Sequence, residues 1–452
     1  MSDSFTYDNG GRRARITDPG SYVEYVFNAR NWLTDVRNRT TGGTTRYDAT
    51  YYYQDGSLWD HTGNPVKRTE NIAGSTYNTT LRYDAVYRQT EETKKDSSSN
   101  VIYSLTYGYD AVGNRTTRVL GGTTTYWTYD DNNKLTKIGS TSGGNDLATF
   151  SYDSNGNMTG VSGTMFGSKT LTYNDDNRLT SIAYSGTTDY YYYKYTGLRY
   201  RATLAGTTYR YLYNGDRILE ELNDSGTMQA RYTTENGSYY GALLHLYRPT
   251  GTLSRFPMYD NIGSARGLLD ASGTATDWYE LDTFGRQVSS SGTTPNPYRF
   301  GGAWGYITDP SGMLQLGQRH YWPELGRFVS QDPIRTVLDH YVYAGNNPVV
   351  AIDPTGKVWW NPFTWFHRRP KPKPKPPCQP RCVGTNCCDD FEKAMVEADF
   401  PDVAEACMSD CYSKVGRNSD ICDILSSCVD NFAKGQVRDA ILEEAAKILC
   451  KL

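Results

Sequence analysis

Cysteine is absent from residues 1–377, and all 9 cysteines of the chain lie between Cys378 and Cys450. This absence excludes disulfide bonds and cysteine-rich metal sites from most of the chain. Two regions of such different side-chain chemistry indicate two modules. We place the junction between them near residue 357.

Apolar side chains are also scarce. Hydrophobic residues make up 37% of the 452 residues, and 13 Phe stand against 39 Tyr and 43 Gly. This composition favours a thin β-sheet wall over a thick two-layer core. No stretch of about 18 or more apolar residues is present, which excludes a membrane-spanning helix. The net charge of −3 offers no basic field for nucleic acid.

Several kinds of site have no counterpart in the sequence. There are 5 histidines and none follows His367, which disfavours a histidine-based nuclease or a Cys–His protease in the tail. No glycine-rich phosphate loop and no Gly-x-Ser-x-Gly motif is present. Cys378, Cys382, Cys387 and Cys388 suggest zinc as an alternative, but no histidine accompanies them, so no metal and no cofactor is predicted.

What the sequence does contain is a repeat. A Tyr-Asp step followed by a turn and a basic residue recurs at intervals of about 20 residues, which is typical of an array of identical units. Clear copies begin at Tyr109-Asp110, Tyr129-Asp130, Tyr152-Asp153 and Tyr173-Asn174. The repeats predict a mainly β fold, a curled antiparallel shell, over residues 1–297.

Each unit has an interpretable pattern. Alternating runs such as Thr123–Tyr129 are typical of half-buried strands, and the Asp-x-x-Gly-Asn element that follows favours a chain reversal. Turns recur too often for helices to form, so we expect residues 1–300 to be nearly free of helix. Tyrosine suits a thin wall because its ring packs, and we expect its hydroxyl to remain in water.

The end of the chain has a different composition. Residues 358–388 hold an aromatic run and then alternating Lys and Pro, which indicates an extended linker. Apolar residues recur at helical spacing in 403–411, 421–432 and 441–449, so residues 389–452 are predicted to be a small helical domain. We expect disulfides there, with four candidate cysteines: Cys407, Cys411, Cys422 and Cys428.

Residues 298–357 carry a series of motifs in a fixed order. They are Tyr298-Arg299-Phe300-Gly301-Gly302, Arg319-His320-Tyr321, Gly326-Arg327-Phe328, Ser330-Gln331-Asp332-Pro333, Gly345-Asn346-Asn347-Pro348 and Asp353-Pro354-Thr355-Gly356. Together with the Tyr-Asp repeats, this block resembles the core domain of RHS-repeat proteins, a family of polymorphic toxins. The resemblance covers residues 1–357.

The resemblance implies an architecture and an activity. The repeats of this family wind into a hollow β-shell around a variable C-terminal effector, and the core block plugs one end. The core is often an aspartyl autoprotease that cuts just after Asp-Pro-x-Gly-Leu. By this resemblance Asp332 and Asp353 are the catalytic pair, and the bond cut is Lys357–Val358.

Three positions depart from the family pattern. Trp322 stands where a carboxylate is usual, Arg335 replaces the glycine of the first Asp-Pro-x-Gly, and Lys357 replaces the leucine before the cut. Asp332 and Asp353 also precede prolines, so a purely turn-forming role is the alternative interpretation.

The resemblance also implies partners and a destination. It implies an immunity protein for the C-terminal domain, a secretion-system or surface partner, and a secreted or cell-surface location. The first eight residues show no signal peptide, which predicts another export route or a fragment of a longer gene. The alternative function is a non-enzymatic surface protein whose repeats bind carbohydrate or partner proteins.

Overall fold

The computed structural model describes residues 4–18, 20–235, 242–334 and 339–357. The described residues all belong to one compact unit. The predicted linker 358–388 and the predicted helical domain 389–452 lie outside the described residues. The four candidate disulfide cysteines and Val358 are therefore outside them as well, and these expectations remain predictions.

The prediction of a mainly β fold is confirmed. The described residues contain no α-helix, and three short 3-10 turns lie at Thr250–Thr252, Gly302–Trp304 and Ala344–Asn346. The strands are β1 Ser4–Tyr7, β2 Arg13–Thr17, β3 Ser21–Phe27, β4 Leu33–Thr40, β5 Thr45–Tyr52, β6 Gln54–Asp55, β7 Leu58–Trp59, β8 Lys67–Ile72, β9 Ser75–Tyr83, β10 Gln89–Asp96, β11 Val101–Tyr109, β12 Arg115–Leu120, β13 Thr123–Tyr129, β14 Leu135–Thr141, β15 Gly144–Tyr152, β16 Met158–Ser162, β17 Lys169–Tyr173, β18 Leu179–Tyr184, β19 Thr187–Tyr193, β20 Arg199–Leu204, β21 Thr207–Asn214, β22 Arg217–Asn223, β23 Met228–Thr234, β24 Leu243–Arg248, β25 Leu253–Tyr259, β26 Ala265–Leu269, β27 Ala275–Leu281, β28 Gln287–Ser291, β29 Ile307–Thr308, β30 Leu314–Leu316, β31 Arg319–Trp322 and β32 Arg327–Phe328.

Twenty-six of these strands form one antiparallel sheet. Strands β1 to β28 pair in the order of the chain, except that β5 pairs with β8 because β6 and β7 form a separate small hairpin. Strands β29 to β32 form a second sheet of four strands within the core block. Pairing between neighbours along the chain is the arrangement expected when each repeat is one hairpin unit.

The repeat turn is built by an aspartate. The N–H of Asp153 donates to the carbonyl of Asn157 at 3.0 Å, and Oδ1 of Asp153 accepts the N–H of Asn157 at 2.8 Å. Gly156 lies between them at φ 83°, a left-handed conformation that favours glycine. The same pair of hydrogen bonds recurs four residues apart at Asp8, Asn28, Asp84, Asp96, Asp110, Asp130, Asn174, Asn223, Asp260, Asp270 and Asp282.

The expectation that the repeat tyrosines keep their hydroxyls in water is wrong for many of them. The hydroxyl of Tyr109 donates to the carbonyl of Gln89, and those of Tyr129, Tyr193 and Tyr213 donate to carbonyls fourteen residues earlier, at 2.8–2.9 Å. A partly buried phenol and a strand-end carbonyl would otherwise each lack a partner. The tyrosine of one repeat therefore joins it to the repeat before.

The large sheet curls until its early strands meet its late strands. Nε of Arg46, on β5, donates to the carbonyl of Gly273, before β27, at 2.6 Å. Nζ of Lys94, on β10, lies 2.9 Å from Glu70 on β8 and 2.6 Å from Glu280 on β27. Lys94 and Glu70 are both buried. These contacts between residues far apart in sequence hold the sheet in its curled form.

The core block lies against the turn end of the repeats. Its side chains hydrogen-bond the backbone carbonyls of three successive repeat turns: Asn346 to Gly113 at 2.8 Å, Arg327 to Asn133 at 2.8 Å and Tyr341 to Gly156 at 2.7 Å. The core block therefore covers this end of the sheet, as a plug would.

Removing one turn carboxylate tests its contribution. Asp153→Ala should lower the free energy of unfolding by about 1–2 kcal/mol, because the N–H and the side-chain amide of Asn157 lose their acceptor. Urea unfolding would measure the change. Asp175→Ala, at an exposed turn position, is the matched control and should alter it by less than about 0.5 kcal/mol. Equal effects of the two substitutions would contradict a structural role for the turn aspartate.

Candidate functional site

The two predicted catalytic aspartates lie in turns of the core block. Asp332 follows β32, and Asp353 opens the turn Asp353-Pro354-Thr355-Gly356. Both carboxylates are buried, with 6% and 3% of the residue exposed. Burial of two acidic side chains requires a charged or hydrogen-bonding partner.

That partner is Arg319, at the start of β31. Its Nη2 donates to Oδ2 of Asp332 at 3.2 Å and to Oδ2 of Asp353 at 3.1 Å. Its Nη1 donates to the carbonyl of His340 at 3.2 Å, and its guanidinium carbon lies 3.5 Å from the centre of the Phe328 ring. The structure thus brings Asp332 and Asp353 to a single nitrogen atom.

The second oxygen of each carboxylate forms a turn. Oδ1 of Asp332 accepts the N–H of Ile334 at 2.9 Å, and Oδ1 of Asp353 accepts the N–H of Lys357 at 3.0 Å. Oδ1 of each aspartate therefore has the turn-forming role, and Oδ2 of each aspartate contacts Arg319. The two interpretations do not compete for the same atoms.

The chain before the predicted cut is held closely. Nε of Arg319 donates to the carbonyl of Gly356, and the N–H of Gln318 donates to the carbonyl of Thr355 at 3.1 Å. Gly356 has φ 68°, and a Cβ there would lie 2.4 Å from the carbonyl oxygen of Leu316. Glycine is therefore required at this position, and hydrogen bonds hold the segment leading to Lys357 against β30 and β31.

Burial controls the electrostatics of the site. Desolvation raises the pKa of the Asp353 carboxyl, the Arg319 cation opposes that rise, and the negative charge of Asp332 adds to it. Desolvation also lowers the pKa of Arg319. The N–H of Asp353 donates to the hydroxyl of Tyr306 at 2.7 Å, and burial keeps the pKa of that phenol well above its ordinary value. Asp353 can therefore carry a proton more readily than an exposed aspartate.

Neither Arg319 nor Tyr306 is predicted from the sequence as part of the site. Arg319 stands in a quoted motif, but nothing in its sequence position shows that it faces two aspartates. Trp322, at the position where a carboxylate is usual, packs with its ring 5.0 Å from that of Phe166. Lys357 is described, whereas Val358 and Arg335 lie outside the described residues.

A second Asp-Pro-x-Gly turn, also not singled out from the sequence, begins at Asp309. The N–H of Gly312 donates to the carbonyl of Asp309 at 2.9 Å. Oδ2 of Asp309 lies 2.8 Å from Nη1 of Arg199, and both side chains are fully buried. Burial and the Arg199 cation lower the pKa of neighbouring His320 to about 3, so this histidine is neutral.

Within the described ranges, no group of three or more His, Cys, Asp or Glu side chains has an arrangement that could hold a metal ion. The helical segments described in this structure include none with the length and apolar character needed to cross a membrane.

The raised pKa of Asp353 predicts a pH dependence. The folded chain binds the proton of the Asp353 carboxyl more tightly than the unfolded chain does. Protonation of Asp353 therefore stabilises the folded chain. This contribution is fully present below about pH 3.9, and it is lost as pH rises through the pKa of Asp353 in the folded chain. Each unit of elevation corresponds to about 1.4 kcal/mol. Asp353→Asn should therefore lose less stability than the wild type between about pH 4 and pH 7 in urea unfolding.

The exposed Asp175→Asn is the control for that experiment, and it should keep the wild-type slope. A wild-type slope for Asp353→Asn would show that burial does not perturb this carboxyl.

No family model matches the sequence. Curated proteins similar to it include a tRNA3(Ser)-specific nuclease WapA of Bacillus spizizenii, at 29% identity over 191 residues, covering 38% of this chain and 8% of the relative. Salivary gland surface protein 1 of Aedes aegypti is 29% identical over 124 residues, covering 25% and 4%. Toxin protein Tse5 of Pseudomonas aeruginosa is 35% identical over 99 residues, covering 22% and 7%.

Among solved structures, the TcdB2-TccC3-Cdc42 crystal structure aligns with 78% of this chain and 21% of its own, at 18% identity and a TM-score of 0.42. The matched segments span less than a tenth of the length of each of the three curated relatives. The similarity to a WapA nuclease and to Tse5 supports the resemblance of this chain to RHS-repeat toxins.

Proposed function

We propose that residues 1–357 are the casing and processing part of an RHS-type toxin, and that residues 358–452 are its effector. The repeat sheet, the core block seated on the repeat turns and the similarity to toxin proteins support this assignment. The change in composition near residue 357 supports a boundary between casing and effector at that point.

The proposed processing is cleavage of the Lys357–Val358 bond by Asp332 and Asp353. One observation carries it: two buried aspartates share Arg319, and one of them also accepts the N–H of Lys357. Two carboxylates placed together can divide the roles of acid and base when their environments differ. Asp353, whose pKa is raised, is the proton donor, and Asp332 is the base.

The proposed step balances without a cofactor. Asp332 removes a proton from a water molecule as the water oxygen attacks the carbonyl carbon of Lys357. Asp353 gives its proton to the nitrogen of Val358 as the carbon–nitrogen bond breaks. The products are a carboxyl group on Lys357 and an amino group on Val358. Arg319 is a positioning residue, because it contacts both carboxylates and the carbonyl of Gly356.

The proposal includes the partners and the destination that the resemblance implies. An effector of this kind requires an immunity protein in the producing cell, and the casing requires export to the cell surface or the medium. Because the proposed cleavage is made by the chain's own aspartates, release of the effector by this route needs no external protease.

Asparagine substitutions test the cleavage. The wild type should run on a denaturing gel as two pieces, residues 1–357 and 358–452, while Asp332→Asn and Asp353→Asn should each run as one chain. Asn174 makes the same turn hydrogen bond as the repeat aspartates, so asparagine preserves the turn and removes the acid–base group.

The control is Asp270→Asn, which makes the same change in a repeat turn and should be cut as the wild type is. An uncut wild-type chain, or cleavage that persists in both asparagine variants, would reject the autoprotease.

Growth of a producing bacterium tests the effector. Induction of the full chain without an immunity protein should reduce viable counts, whereas a chain ending at Lys357 should leave them unchanged. Colony counts after induction measure the difference, with equal expression checked on a gel. Equal counts for the two chains would reject the toxin assignment and favour a repeat surface protein, the alternative that the similarity to the Aedes protein supports.

A further inference from the structure

The proposed cleavage consumes a water molecule at a place that the fold largely closes to solvent. Asp332 and Asp353 are 6% and 3% exposed, and hydrogen bonds hold the segment before Lys357 against the core block. A buried carboxylate pair has few contacts with bulk solvent, so the water that attacks the Lys357 carbonyl needs a binding site of its own. A cavity beside this segment provides the space.

This cavity, of about 230 Å³, lies between the repeat sheet and the core block. Pro354, Thr355 and Lys357 line part of it, so it borders both the Asp353 turn and the residue whose carbonyl is attacked. A water molecule takes about 30 Å³ of liquid volume, so the cavity has room for several. Its place and its size are therefore those of a water site.

The lining of the cavity is mixed rather than apolar. Besides Lys357, it includes five side chains that are charged or carry an amide: Arg199, Asp216, Arg217, Gln315 and Gln318. Cavities that stay dry are lined by apolar side chains, whereas polar cavities of sufficient size hold ordered water. Water is therefore the occupant that this lining favours.

Two buried residues of the lining have polar atoms that lack a partner. Gln315 donates from Nε2 to the carbonyl of Gly317 at 3.1 Å, but its Oε1 is buried without a partner among the described residues. Arg199 donates from Nη1 to Asp309 at 2.8 Å, while its Nε and Nη2 are buried without a partner in the described part of the chain. Ordered water is a usual partner of such atoms, and both residues border the cavity.

Gln318 is the amide side chain of the lining that lies beside the segment before the cut. Its backbone N–H donates to the carbonyl of Thr355 at 3.1 Å. Gly317, which precedes it, packs against the same residue, since a Cβ there would lie 2.3 Å from the Thr355 carbonyl oxygen. Gln318 is thus fixed against a residue two positions before Lys357. A glutamine amide offers two donors and an acceptor, so it can hold a water molecule through either atom.

We propose that this cavity holds the water molecule that attacks the carbonyl carbon of Lys357, and that the amide of Gln318 orients it. The inference rests on the cleavage proposed above and adds the source of its water. The oxygen of that water becomes part of the Lys357 carboxyl group, one of its protons passes to Asp332, and the nitrogen of Val358 takes the proton of Asp353. Gln318 is a positioning residue, because it acts through the water and neither gives nor takes a proton.

Hydroxyl-radical footprinting tests the water without reference to cleavage. Radicals produced from water by a short X-ray pulse oxidise side chains that border that water, even inside a protein. Leu243 lines the cavity and is 3% exposed, and Leu179, on β18, is an equally buried control in the core at 2%. Mass spectrometry of the irradiated full chain should show oxidation of Leu243 and not of Leu179. Equal oxidation of the two leucines would overturn the water site.

Filling the cavity tests its part in the cleavage. Ile218→Trp adds an indole to the lining on β22 and should slow cleavage about tenfold, because the added ring displaces water. Leu219→Trp is the matched control, because Leu219 is 41% exposed and Ile218 is 6% exposed, and it should be cut at the wild-type rate. The full chain is made by cell-free synthesis, and a gel follows its cleavage with time. Leu243→Phe fills the cavity from β24 if Ile218→Trp does not keep the strand circular dichroism spectrum.

Substitution of Gln318 tests the orienting amide. Gln318→Leu should slow cleavage about tenfold, the loss expected when a reactant is held less precisely. The pH at which the rate is half-maximal should stay that of the wild type, because Asp332, Asp353 and Arg319 are unchanged. A wild-type rate, or a slower rate with a shifted pH midpoint, would overturn the role of Gln318.

The outcomes separate this inference from the cleavage itself. An uncut wild-type chain would overturn both. A cut wild type, together with folded cavity-filling variants that are cut equally fast, would overturn the water site alone and leave the two aspartates as the catalytic pair.

Discussion

The hydrogen bond that an aspartate or asparagine Oδ1 accepts from the backbone N–H four residues later is the interaction on which this molecule depends. It closes the repeat turns, as at Asp110 and Asp153, and each turn fixes where one strand ends and the next begins. Because the bond is local, a repeat with Asp or Asn at this position forms it without help from distant residues. The last such bond joins Asp353 to Lys357, so the geometry that builds the sheet also positions the candidate site.

Buried Arg–Asp pairs then join the core block to the repeat sheet and hold its own turns together. Arg199 with Asp309 ties the second Asp-Pro-x-Gly turn to strand β20, and Arg319 joins Asp332 to Asp353. Such pairs add little net stability, because both charges lose their hydration, but removal of one partner leaves an uncompensated charge. They therefore penalise wrong placements of the core block more than they stabilise the right one. In this way the buried pairs fix the positions of the aspartates at the candidate site.

The site combines two duties in the same two side chains. Oδ1 of Asp332 and of Asp353 forms a turn, while Oδ2 of each meets Arg319. Lys357 enters through its backbone N–H rather than through its side chain, so this contact does not require the leucine that is usual in the family. Burial raises the pKa of Asp353, an effect that an exposed turn aspartate would not experience.

The sequence by itself determined what depends on neighbours along the chain. The alternation in Thr123–Tyr129 and the turn signal at Asp153-Ser154-Asn155-Gly156 led to the antiparallel repeat sheet, and the composition change after Lys357 led to the boundary between the two modules. The pair Asp332 and Asp353 came from the resemblance of the motif series to RHS-repeat proteins. The tertiary structure alone decided contacts between residues far apart in sequence: Arg319 between the aspartates, the tyrosine hydroxyls on strand-end carbonyls, and Lys94 against Glu280. A local pattern specifies a turn because its hydrogen bonds close within a few residues. It does not specify which arginine a buried carboxylate meets, since that follows from how the whole sheet curls.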